Sequence, residues 1–88
     1  MNTTCPALTG TVAATIPLAG CDHELIVSNP IAAIVYLKFN WTTGDAEVSA
    51  TNFDTLIIAS NVTRLPVIKV TNARALCSGS GSLGIMCW

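Results

Sequence analysis

The segment VSNPIAAIVYLKFN, residues 27–40, constrains the fold more than any other part of the chain. Its second half is rich in β-branched and aromatic residues, which favour strands, and a strand directs alternate side chains to opposite faces. Alternation puts Val35, Leu37 and Phe39 on one face and Ile34, Tyr36 and Lys38 on the other. The first set is apolar and uncharged, so we expect it to fill the core. The second set then faces outward, and its apolar side chains need to be covered by something other than this core.

Short runs of the same character recur along the chain, separated by prolines and glycines, and none has helical periodicity. In TVAATIPL, Val12, Ala14, Ile16 and Leu18 share a face, and Pro17 marks a sheet edge or the end of the ladder. The same alternation pairs Leu25 with Val27, and Leu83 with Ile85 and Cys87. The pattern predicts an all-β protein: a small antiparallel β-sandwich or jelly-roll-like barrel of six to eight short strands.

Four local features are also expected from the turn and strand residues. LAGCD reads as a turn, and AEVSAT as a weak strand. RLPVIKVTNA holds one strand with Ile68 and Val70 on the same face. A hairpin over Ser78 to Gly81 pairs Cys77 with Ser82, which places Cys87 too far along the ladder to bond to Cys77.

The balance of apolar and charged residues bears on association. Eighty-eight residues make one domain, 1–88, in which residues 1–10 have no pattern of their own and suit an extended N-terminal arm. Hydrophobic residues make up 51% of the chain and charged residues only 10%, whereas ordinary domains carry roughly 25% charged residues. We therefore expect outward apolar surface to be buried against other copies, in a trimer or higher oligomer.

The composition argues against two classes of partner. The chain has no basic patch, so nucleic-acid binding lacks an electrostatic footprint. Its longest apolar runs, IAAIVYL and LIIA, are too short to span a bilayer, which argues against a membrane partner. The N-terminus MNTTCPALTG lacks the charged and apolar regions of a signal peptide, so the expected place of synthesis is a cytosol.

The cysteines allow two interpretations. In a secreted protein, Cys5, Cys21, Cys77 and Cys87 would suggest two disulfides, with three connectivities open. In a protein made in a cytosol, buried free thiols are the default expectation. A zinc site would need ligands from four distant places and is not predicted. Sequons begin at Asn2, Asn40 and Asn61, and they would matter only in the secreted case.

No catalytic, cofactor-binding or metal-binding residue is predicted. His23, the one histidine, reads as an exposed residue at a strand start, and Asp45 and Glu47 as part of a solvated loop. GSGSLG is a turn, because no helix follows it to form a phosphate site. Trp41 and Trp88 either cap the core or anchor a contact with another chain.

Two segments carry a resemblance to known proteins. Over about residues 25–86, the chain resembles a group of small β proteins from tailed bacteriophages. The resemblance lies in LIVSNPIAAIVYLKFN, a Gly/Asp/Thr loop, and then RLPVIKVTNARALCSGSGSLGI. The matching residues are Val27, Asn29, Val35, Tyr36, Lys38, Phe39, Ala59, Ala75, Gly79, Gly81, Leu83 and Ile85. The four cysteines and the early N-terminal strand of this chain depart from the pattern of those phage proteins.

The resemblance implies a non-enzymatic virion structural protein, made in the bacterial host cytoplasm. A capsid decoration (cement) or fibre-type subunit that binds itself and the major capsid protein, or another virion protein, is the expected role. The expected interface residues are Ile26, Ile34, Tyr36, Lys38, Trp41, Met86 and Trp88. Two alternatives stay open: a tail, neck or baseplate subunit of the same virion, and a secreted disulfide-bonded binding module.

Overall fold

The computed structural model describes residues 2–88, without the side chains of Asn2 and Ala19. Within that range the chain forms ten strands and no helix, and all strand pairs are antiparallel. In chain order the strands are β1 (Asn2–Thr4), β2 (Ala7–Leu8), β3 (Ala14–Cys21), β4 (Glu24–Asn29), β5 (Val35–Phe39), β6 (Thr55–Ile57), β7 (Asn61–Pro66), β8 (Val70–Cys77), β9 (Gly81–Ser82) and β10 (Gly84–Cys87).

Eight of these strands build two four-stranded sheets. One sheet has the order β1-β10-β4-β7, which we call sheet I, and the other has the order β3-β8-β5-β6, sheet II. Strands β2 and β9 form a short separate pair. The pairs nest from the ends inward, as β1 with β10, β3 with β8, β4 with β7, and β5 with β6. This is the strand order of a jelly roll, and the predicted all-β sandwich class is confirmed.

The core lies between the two sheets and follows the predicted alternation. Leu25 and Val27 of β4 face Val35 and Leu37 of β5, and all four are fully buried. Leu83, Ile85 and Cys87 are buried as well. Phe39 lies at the rim, half-buried against this core, because β5 ends there and the chain turns away.

Residues 2–8, within the expected N-terminal arm, pair with this chain's own strands. β1 hydrogen-bonds along β10, and β2 along β9. Leu83 N donates to Pro6 O at 2.9 Å between the two pairs. Met1, the first residue of that arm, lies outside the described residues.

Two expected elements of the first half differ in the structure. LAGCD is not a turn, because β3 continues through Cys21, with a register shift against β8 between Pro17 and Cys21. Gly20 has a φ of 69° within that irregular stretch, a conformation open to glycine. Pro17 does lie on an edge strand, as expected. Val12 precedes β3 in a turn and is exposed instead of sharing the face of Ile16.

The second half holds three differences. AEVSAT forms no strand and belongs to a long loop, residues 40–54. Ile68 lies in the turn between β7 and β8, so it does not share a strand face with Val70. The predicted hairpin over 78–81 is wrong, because β8 belongs to sheet II and β10 to sheet I. The turn crosses over Ile31, where a Cβ at Gly79 or Gly81 would lie 2.9 Å from the isoleucine side chain.

The cysteines also depart from the expectation of free thiols. Cys21 and Cys87 form a disulfide with a Cα–Cα distance of 5.4 Å. It joins the end of β3 in sheet II to the end of β10 in sheet I. Cys5 is free and exposed, and Cys77 is free and buried.

Candidate binding surface

The seven predicted interface residues do not lie together. Ile26 of β4 pairs with Met86 of β10 on the outer face of sheet I, and both are half-buried. Alternation along β10 directs Trp88 to that same face. The other four residues, Ile34, Tyr36, Lys38 and Trp41, belong to the side of sheet II. The sandwich therefore separates the predicted set into two surfaces.

The outer face of sheet II is partly covered by the chain's own loop 40–54. Trp41 lies under the guanidinium of Arg74, with the Arg74 Cζ 4.4 Å from the ring centroid, and its Nε1 donates to Ala46 O at 3.0 Å. Arg74 in turn donates two hydrogen bonds of 2.9 Å to the carboxylate of Glu47. Val48, the next residue, is fully buried although it lies outside the central core cluster. These contacts anchor the loop to the sheet, and Trp41 is a part of that anchor.

The electrostatics of the loop follow from this ion pair. The hydrogen bonds from Arg74 lower the pKa of the Glu47 carboxyl and raise the pKa of the Arg74 guanidinium. Asp45 accepts hydrogen bonds from the backbone N and the hydroxyl of Thr42, which lower the pKa of its carboxyl. Both carboxylates are therefore ionised at neutral pH. Ionised Glu47 then ties the loop to Arg74 of the sheet, whereas the hydrogen bonds of Asp45 lie within the loop itself.

Acid should release the loop before it unfolds the sandwich. Because the folded-state pKa of Glu47 is depressed, the stabilisation that it provides is present at neutral pH and is lost as the pH falls through that lowered pKa. We expect the Trp41 fluorescence to change in this acid range while far-ultraviolet circular dichroism stays constant. Glu47→Gln should remove the transition, and Asp22→Asn, at the far end of the sandwich, should retain it. A transition that persisted in Glu47→Gln would contradict the assignment.

Tyr36 and Lys38 have partners within the chain as well. The rings of Tyr36 and Phe53 lie 5.2 Å apart between centroids, and Lys38 Nζ is 3.8 Å from Asp54 Oδ1. An open surface pocket of about 180 Å³ lies beside the loop, lined by Tyr36, Leu76 and Ala50 together with Thr11, Cys77 and Ser78. Part of the cover predicted to come from another chain is thus provided by loop 40–54.

One end of the sandwich has no charged side chain. The turns 9–13, 30–34, 58–60 and 78–80 meet there. Ser60 N donates to Ile31 O at 3.1 Å, and Gly10 N donates to Ser80 Oγ at 2.9 Å. The sequence between 75 and 88 has no charged residue, and neither do 1–21, 25–37 and 55–63. We call this surface the uncharged end.

Three large apolar side chains are exposed at the uncharged end. Val12 is 58% exposed, Ile34 40% and Ile58 56%, each in a different turn. Docking such a surface against another protein would require no charge to be desolvated, and the central parts of protein interfaces are depleted of charged residues. These exposed apolar side chains make the uncharged end a candidate binding surface.

Asn29 holds the uncharged end together and is the one buried polar residue among those described. Its Nδ2 donates to Ala33 O at 3.0 Å and to Ile58 O at 3.3 Å, with Ile57 O at 3.5 Å. Its Oδ1 accepts from Ile31 N at 3.0 Å. One side chain thereby fixes both the 30–34 and the 58–60 turns, which carry Ile34 and Ile58.

The opposite end carries charge. Asp22 Oδ1 accepts from Lys69 N at 3.1 Å, and Glu24 accepts from Arg64 at 2.7 Å. His23 is exposed beside them. Across residues 2–88, no group of three His, Cys, Asp or Glu side chains is placed to hold a metal ion. In the same range, no helix is long and apolar enough to cross a membrane.

The chain matches no protein-family model, no curated protein and no solved structure at a significant level.

The uncharged end was missed by the sequence reasoning, although its signal is present there. The charge-free stretches are visible in the sequence, but they are interrupted by short charged segments such as Asp22 to Glu24. Only the jelly-roll order shows that the four uncharged turns meet at one end.

Proposed function

We propose that the chain is a non-enzymatic virion structural protein, a capsid decoration subunit that docks on a phage shell through its uncharged end. The observation that carries the proposal is the exposure of Val12, Ile34 and Ile58 on a charge-free surface. The resemblance of residues 25–86 to small phage β proteins supports the shell of a tailed bacteriophage as the partner. The jelly roll is compatible with this role, since the fold occurs in viral capsid domains.

The strength of such docking can be bounded. Full burial of a large apolar side chain contributes roughly 1.5–3 kcal/mol, so three side chains that are about half exposed contribute roughly 2–4 kcal/mol together. That is too little for a stable one-to-one complex once the cost of association is included. Decoration suits these numbers because many copies occupy a repeating lattice and linked copies gain from multivalency.

A charge at the uncharged end should abolish docking. We expect Ile34→Asp and Val12→Asp each to weaken binding to the shell tenfold or more, because a carboxylate would be desolvated in the contact. Thr43→Asp, an exposed position in loop 40–54, adds the same charge elsewhere and should bind like the unchanged chain. Co-sedimentation with shells measures binding, and thermal unfolding verifies the fold of each variant. Normal binding by both end variants would refute the proposed surface.

A tail, neck or baseplate subunit of the same virion would use the same uncharged end on a different virion protein. Co-sedimentation with empty shells distinguishes the two roles, because such a subunit would not bind them along their faces. The same surface would bind the shell in the first role and a tail, neck or baseplate protein in the second.

The second candidate function, a secreted binding module, is favoured by one observation. The Cys21–Cys87 disulfide is the kind of bond that persists in oxidising compartments. If the chain were exported through a glycosylating pathway, Asn61 would be an accessible sequon, since it is exposed and its side chain has no hydrogen bond described within the chain. The Asn40 side chain is bound to Lys69 O and Thr71. Intact mass of the natural protein distinguishes the candidates, because added hexose would favour the secreted module.

A further inference from the structure

Strand β7 is the least protected sheet edge among the described residues. The four edge strands are β1 and β7 in sheet I and β3 and β6 in sheet II. β3 contains Pro17 and a register shift, and β1 and β6 have three residues each. β7 has six residues, no register shift, and a proline only at its last position. Proteins block free edges with prolines, irregularities or short strands, so an edge without them is open to pairing.

The pairing pattern shows which backbone groups of β7 are free to bond outward. Val67 N donates to His23 O, so the odd-numbered residues of β4 and of β7 hydrogen-bond to each other. Trp88 and Glu24 exchange hydrogen bonds, so even-numbered β4 residues bond to β10. Because these positions alternate, Val62 and Arg64 direct their N–H and C=O groups away from β4. Two complete donor–acceptor sets therefore face outward.

Exposed apolar side chains flank the same edge. Ile68 is 77% exposed in the turn after β7, and Val62 is 61% exposed on the strand. Ile58, in the turn before β7, is 56% exposed. These are three of the four most exposed large hydrophobic residues of the described chain, so the edge is apolar at both ends and at its centre.

We propose that β7 pairs antiparallel with β7 of a second copy of this chain, about a two-fold axis at Thr63. Val62 of each copy then exchanges both backbone hydrogen bonds with Arg64 of the second copy, and the two sheets I join into one continuous sheet. Pro66 has no N–H and ends the pairing on both sides. This inference rests on the edge of β7 and not on shell binding. Antiparallel pairing directs the two uncharged ends in opposite directions and covers Ile58, so at most one copy of such a pair can dock on the shell through its uncharged end.

The edge of β7 is complementary to itself, which identifies a second copy of the chain as the strand that pairs with it. The two-fold axis brings the turn that carries Ile68 beside the turn that carries Ile58 of the second copy, so the exposed residues at the two ends cover each other. Arg64 already donates to Glu24 of its own copy at 2.7 Å. The charges of the two arginines, which lie near each other on the joined sheet, are therefore each neutralised by a glutamate. The edge thus matches itself in hydrogen bonds, apolar surface and charge.

The first experiment removes one outward donor without touching the chain's own sheet. Val62→Pro deletes an N–H that does not bond to β4, so the sandwich should fold while the dissociation constant of the dimer rises at least tenfold in sedimentation equilibrium. Val62→Thr keeps the N–H and the β-branched shape and should still dimerise. A Val62→Pro chain that dimerises like the unchanged chain, or an unchanged chain that stays monomeric up to millimolar concentration, would overturn the proposal.

The second experiment covers the case in which Val62→Pro fails to fold. Residue 63 meets itself across the axis at a non-hydrogen-bonded position, where Cα atoms lie about 4.5 Å apart. Thr63→Cys in a Cys5→Ser background should therefore form an intermolecular disulfide on mild oxidation. Thr3→Cys in the same background, on the opposite edge strand β1, should not. Equal cross-linking at both positions would also overturn the proposal.

Discussion

Asn29→Asp is expected to lower the free energy of unfolding by about 3–5 kcal/mol, a large part of the stability of a small domain. The substitution replaces the amide nitrogen, which donates to backbone carbonyls of both the 30–34 and 58–60 turns, by an oxygen that cannot donate when ionised. The buried carboxylate would face carbonyl oxygens and leave them without a donor. Chemical denaturation followed by circular dichroism measures the loss.

The register supplies a matched control for this prediction. Asn61 lies directly opposite Asn29 in the β4–β7 pair, but it is exposed. Asn61→Asp should change stability by less than about 0.5 kcal/mol, as surface substitutions usually do. The loss in Asn29→Asp should shrink at low pH, where a protonated carboxyl can donate one hydrogen bond. Equal stabilities of the two variants would show that Asn29 does not hold the turns.

Removal of the Cys21–Cys87 disulfide is expected to have a similarly large effect. The two residues are 66 positions apart, and the chain entropy of closing such a loop corresponds to about 4 kcal/mol. The bond also joins the two sheets at one end, so its removal deletes the covalent link between them. The double variant Cys21→Ala/Cys87→Ala should melt roughly 15–30 °C lower than the unchanged chain.

The other cysteines provide the comparison. Cys5 is free and exposed, so Cys5→Ser should leave the melting temperature unchanged. A reducing agent should lower the melting temperature of the unchanged chain and have no effect on the double alanine variant. If the reducing agent had no effect on the unchanged chain, the two cysteines would not be bonded in the folded protein.

The alternation of apolar residues predicted the faces of the central strands correctly. Leu25, Val27, Val35 and Leu37 are buried because a strand with one apolar and one mixed face has a single favourable orientation. Where the chain leaves regular strands, alternation no longer applies. Val12 and Ile68 were assigned to strand faces, but each lies in a turn and is exposed.

The partners of strands could not be predicted from local pattern. A glycine-rich turn after β8 suggested a hairpin, yet Gly79 and Gly81 are needed where the chain passes over Ile31 into the other sheet. The disulfide was missed for the same reason, since Cys21 and Cys87 meet only through the long-range order of strands. Asn29 was noted in the resemblance, and the structure gives it a physical role in fixing two turns.

The candidate surface combines both kinds of information. The low charge content was correctly noted from composition, but the meeting of four uncharged turns at one end could be seen only from the topology. Loop 40–54 shows how a chain can cover part of its own apolar face, through Trp41, Arg74 and Glu47, so apolar composition alone overestimates the surface that needs another protein.

The proposed role is tested most directly by a cryo-electron microscopy reconstruction of the virion that carries this protein. We expect density for the jelly roll on the outer surface of the capsid, with the turns of Val12, Ile34 and Ile58 against the shell and the Asp22–Lys69 end directed to solvent. Density confined to the tail or neck, or a subunit standing on its charged end, would contradict it.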